Sequence, residues 1–92
     1  MKQFAWSEDK NRELKANAHR AVCFEDIVAA IEGDGLLDDI VHVNAVKYPH
    51  QRMFVVLLGG HVYGVPYVVD DGFIFLKTAY PSRKLAKAYL DE

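Results

Sequence analysis

A chain of 92 residues with 51% apolar and 26% charged side chains has the make-up of one globular domain, 1–92, with a modest core. No apolar run approaches the roughly 20 residues of a membrane helix, the opening MKQFAWSEDK has early charge and no signal-peptide cleavage site, and the single Cys23 cannot form an internal disulfide, so a cytoplasmic protein with no membrane partner is expected. A net charge of −2 excludes a uniformly basic nucleic-acid binder.

In chain order, Gln3 to Trp6 reads as an edge strand or a staple. Ser7 then stands as an N-cap with Glu8 and Asp9 behind it, predicting a helix from Glu8 to His19 with Leu14 and Ala18 inward. Asn11 and Asn17 lower its propensity. Phe24, Ile27, Val28 and Ile31 form one helical stripe ended by Gly33, and Cys23 is a poor residue for its N-cap. Leu36 to Val43 is a strand, and Asn44 to His50 a polar loop that Pro49 keeps out of a ladder.

The run from Gln51 to Pro81 dominates the chain. Apolar and β-branched segments separated by Gly59-Gly60 and Asp71-Gly72 predict a three-stranded meander with two-residue turns. That register sets Leu58 opposite His61, Val56 opposite Tyr63, Arg52 opposite Tyr67 and Tyr63 opposite Tyr80. Alternation groups Arg52, His61, Tyr63, Tyr67, Thr78 and Tyr80 on an open face, with Met53, Val55, Leu57, Val62, Val68 and Phe75 beneath the helices and Lys77 at the end of that second face. Gly64 and Pro66 predict a bulge in the middle strand. Ser82 caps a closing helix from Arg83 to Asp91. The expected architecture is α+β: two N-terminal helices, a four-stranded antiparallel meander sheet and a C-terminal helix.

Charge is unevenly spread. No acid occurs from Val41 to Val69, where His42, Lys47, His50, Arg52 and His61 fall. Together with Tyr48, Lys77, Tyr80, Arg83 and Lys84 these make a basic and phenolic set able to hold phosphate, stack on a base and move a proton. The same residues also read as one solvated helix face and half-buried sheet tyrosines, or as an aromatic face (Tyr63, Tyr67, Tyr80) docking a partner without catalysis. No motif for a metal or cofactor is present.

Phe4, Trp6 and Lys10, followed by Leu14 and by Val22, Phe24, Glu25 and Asp26, resemble BrnT-like toxins of bacterial type II toxin–antitoxin systems. Arg52 with Phe54, and Ser82-Arg83-Lys84 opening the last helix, extend that similarity over most of the chain. The resemblance implies a relative of the RelE fold: a metal-independent endoribonuclease that needs no cofactor, cleaves RNA, inhibits translation and is held in a complex by a cognate antitoxin. It carries Arg52 and Arg83 over as the phosphate-binding catalytic positions, with Lys84 as phosphate support and Lys10 as a weaker match; the residue chemistry itself adds Tyr80 or His42 for proton transfer and Lys47, Tyr48 and Lys77 for RNA. The chain departs from the family at Arg20-Ala21, at Cys23 and in its longer loop from His42 to Gln51.

Overall fold

A computed structural model of the protein describes residues 3–17, 22–42 and 44–90. The elements run β1 (Gln3–Trp6), α1 (Glu8–Ala16), α2 (Phe24–Glu32), β2 (Leu36–Val41), β3 (Arg52–Leu58), β4 (His61–Asp70), β5 (Phe73–Leu76), β6 (Tyr80–Pro81) and α3 (Arg83–Leu90). The expectations for Ala18, His19, Val43 and Asp91 fall outside the described residues.

The expected fold class is corrected here. A strand, not a helix, comes first, and the sheet is six-stranded and mixed, ordered β1-β5-β4-β3-β2 with β6 beside β4. β1 lies parallel to β5, with Phe4 opposite Ile74 and Trp6 opposite Leu76. The apolar opening thereby joins the face on which Phe4 meets Phe54 edge to face at 6.3 Å and Trp6 stacks on Phe24 at 5.6 Å. Both rings are partly buried there, so each contributes less than the roughly 1.5–3 kcal/mol of a fully buried apolar side chain.

Both turns have the backbone their residues permit. Gly59 and Gly60 have φ of 61° and 81°, and Asp71 and Gly72 of 52° and 84°, the paired left-handed conformations of a two-residue hairpin. The β3–β4 register accordingly runs unbroken from Arg52 opposite Tyr67 to Leu58 opposite His61. The bulge expected at Gly64 to Pro66 is therefore not in this ladder. The irregularity lies across from it: Tyr67 faces Leu76, but Gly64 faces Tyr80 and Tyr63 faces Pro81, one residue later than an even register gives. Pro66 explains the break. Its carbonyl accepts from Lys77 N–H at 2.8 Å, and its missing donor faces the same way, into the gap between β5 and β6 where no ladder bond is lost.

Helices cover both faces of the sheet. Phe54, Val56, Tyr63, Val65, Tyr67 and Leu76 form one core with Phe24 and Ile27 of α2, and Met53, Val55 and Val62 form another with Leu85 of α3. The assignment of Tyr63 and Tyr67 to an open face is thus reversed: they are 8% and 4% exposed, beneath α2, while Tyr80 lies on the opposite face against α3's core. Met53-Phe54-Val55-Val56 is apolar on both sides, so alternation has no polar side to mark.

Candidate functional site

Where β2 ends, the loop from Asn44 folds back on itself. Asn44 O accepts from Tyr48 N–H at 3.0 Å, and Asn44 Oδ1 from Lys47 N–H at 3.4 Å. This turn sets the Tyr48 ring 4.7 Å from the His42 ring, with Lys47 Nζ 5.4 Å from the Tyr48 centroid. Opposite them come the irregular residues between β5 and β6. The result is a cleft of about 340 Å³ lined by His42, Tyr48, Gln51, Lys77, Thr78 and Tyr80, floored by Pro66. Four residues singled out in the sequence, His42, Tyr48, Lys77 and Tyr80, thus meet in one place.

The cleft is rich in donors, and none of its lining residues is acidic. His42 is buried and its Nδ1 accepts from Asn44 N–H at 2.9 Å, so the neutral imidazole carries its proton on Nε2. Burial pushes the Tyr80 phenol up from its ordinary range, keeping it protonated at neutral pH, and its O–H is directed at Met53 Sδ at 3.6 Å. Lys77 lies 5.4 Å over the Phe75 ring, its stem along the sheet and its ammonium exposed. Such a lining can accommodate an anion: it offers one cation, the His42 Nε2 donor and a flat aromatic ring at the rim, and the Tyr80 hydroxyl becomes a further donor on turning away from Met53.

The other predicted residues lie elsewhere. Arg52 projects from the α2 side of the sheet, where Asp39 Oδ1 accepts from its Nε at 3.1 Å and from Tyr67 O–H at 2.7 Å. Arg52 also donates to the Asp39 carbonyl at 3.0 Å. The guanidinium is half exposed but already partnered. Burial, then the bond to Asp39, lifts the Tyr67 phenol to about 12. Arg83 lines a separate depression with His61, Gly60 and Ser82 at the start of α3, and Lys84 is exposed on that helix. Ser82 Oγ accepts from Leu85 N–H at 3.1 Å, as its capping position predicts.

Sequence reasoning placed Thr78 on one face with Tyr80 but gave it no role, and it missed Gln51 in the cleft, Asn44 as the group that fixes the His42 tautomer, and Asp39 as the partner of Arg52. Gln51 was legible, because alternation sets it on the face opposite Arg52; Asp39 was not, since its approach depends on the β2–β3 pairing.

Fold and cleft together define a small α+β domain with a mixed sheet between helices and a cleft at one sheet end with no acidic lining residue. No protein-family model, curated protein or solved structure matches the chain.

Proposed function

We propose that the chain is a small cytoplasmic endoribonuclease, the toxin of a bacterial type II pair of the BrnT-like kind, restrained by a cognate antitoxin. The observation that carries this reading is the convergence of His42, Tyr48, Lys77 and Tyr80 in one acid-free cleft. In the reaction the 2′ oxygen attacks the neighbouring phosphorus as the bond to the 5′ oxygen breaks, giving a 2′,3′-cyclic phosphate and a free 5′-hydroxyl. Lys77 offsets the charge gathering on the phosphate oxygens. Neutral Tyr80 gives its proton to the departing 5′ oxygen once its O–H turns from Met53 Sδ, and His42 takes the 2′-hydroxyl proton on Nδ1 once the Asn44 contact opens. Tyr48 offers a ring for a flanking base, with Lys47 beside it. Arg83 and Lys84 extend the contact to phosphates further along a longer RNA, and Arg52 joins them only by giving up Asp39.

The test is direct. Purified protein in EDTA is expected to cut single-stranded RNA to cyclic-phosphate ends, and Tyr80→Phe to slow this on the order of 100-fold with an unchanged circular dichroism spectrum. Expression without the antitoxin is expected to arrest growth. Intact RNA together with normal growth, from folded and abundant protein, would sink the proposal.

A further inference from the structure

On the side of the sheet that carries α3, cover is incomplete. The helix packs over Met53, Val55 and Val62, and the half formed by β1, β5 and the end of β4 is bare among the described residues. There Ala5, Val68, Phe73 and Phe75 floor a groove of about 510 Å³, and Phe73 is 44% exposed. Its ends differ in charge. Asp70 pairs with Phe73 in the ladder, Val68 with Phe75, and Lys77 follows beside Pro66. Asp70 and Asp71 therefore stand at one end and Lys77 at the other, about 13 Å apart at roughly 3.3 Å per residue.

The geometry points to a second copy of this chain as the occupant. A patch with an apolar centre, an acidic end and a basic end is its own complement under a two-fold axis across the strands, because that operation lays each Lys77 by the other copy's Asp70 and Asp71. A foreign partner would have to supply the same three features in the reverse order, whereas the groove already carries them. Phe73 and Phe75 leave water in the pairing, and the two ion pairs fix its direction. The inference stands independently of the ribonuclease reading, since its readout is mass. Because Lys77 also lines the cleft, pairing draws the cleft's cation toward the second copy's carboxylates.

Sedimentation equilibrium of the whole chain is expected to show reversible association to about twice the 10.4 kDa chain mass that weakens with added salt. Lys77→Glu alone, and Asp70→Lys with Asp71→Lys, are each expected to raise the dissociation constant at least tenfold, because like charges then face each other twice. Mixing the two variants restores association, since a mixed dimer satisfies both contacts. All substitutions are at exposed positions, and circular dichroism checks that each variant folds, including Asp71→Lys in its left-handed turn position. A wild-type chain that stays monomeric to millimolar concentration, a dimer indifferent to the reversals, or variants that fail to rescue each other would each overturn the proposal.

Discussion

Tyr80 is held by the smallness of the residue across the ladder from it. A Cβ built on Gly64 would come within 2.9 Å of Tyr80 Cζ, 3.0 Å of its hydroxyl oxygen and 3.1 Å of Met53 Sδ. Glycine is needed here for space, not for an unusual backbone. Gly64→Ala is expected to destabilise the protein by about 1–3 kcal/mol in urea unfolding, because a well-packed contact must shift or strain. It also moves the phenol that the cleft uses. In a Tyr80→Ala background the same change should cost markedly less, the two sites being coupled through one contact. Equal costs in both backgrounds would mean that the ring does not press on Gly64. The Tyr67 phenol is held differently, by Asp39 and beneath α2, and so contributes to packing where Tyr80 contributes to the cleft.

The start of α2 shows how one helix can complete another. Cys23 makes no side-chain cap; instead Asn11 of α1, 1% exposed, accepts from Phe24 N–H at 2.8 Å through Oδ1 and donates to Glu25 Oε1 at 2.8 Å through Nδ2. That donated bond is the largest reason the Glu25 carboxyl lies below its ordinary range. Asn11→Ala is expected to cost about 1–3 kcal/mol, leaving a buried donor unmet. Asn11→Asp keeps the acceptor but sets a carboxylate against Glu25. Its deficit should therefore shrink as pH falls through the carboxylate range and one of the pair is protonated. A deficit that stays flat from pH 7 to pH 4 in denaturant titrations would contradict the assignment. From sequence, Asn11 reads only as a weak helix former, because its partner lies in the next helix. Much else at this level was legible. The Gly-Gly turn dictated the pairing of Arg52 with Tyr67 and Val56 with Tyr63, and the Asp-Gly turn that of Tyr67 with Leu76. The parallel β1–β5 contact was not legible, since nothing local in Gln3 to Trp6 names a partner some 70 residues away. Nor was the choice of face, because β3 is apolar on both sides.

Taken as a whole, the molecule is weakly acidic, so any hold on RNA must come from where its cations sit and not from its total charge. The candidate residues divide into three groups: Lys77 and Lys47 at the cleft, Arg83 and Lys84 at the start of α3, and Arg52 engaged by Asp39 on the other side of the sheet. Salt dependence separates them, because each single-strand phosphate neutralised contributes about −0.7 to the slope of log affinity against log salt. A trinucleotide carrying a 2′-deoxy sugar at the reacting position binds without being cut and has only two internucleotide phosphates to place, the first of them in the cleft. On that probe Lys77→Ala should flatten the slope by about 0.7, whereas Arg83→Ala should leave it unchanged. On a 20-residue RNA, Arg83→Ala should flatten it as well, since further phosphates then come within reach. If Arg83→Ala flattens the slope on the trinucleotide and Lys77→Ala does not, the reacting phosphate sits by α3, and His42 and Tyr80 lose their chemical roles.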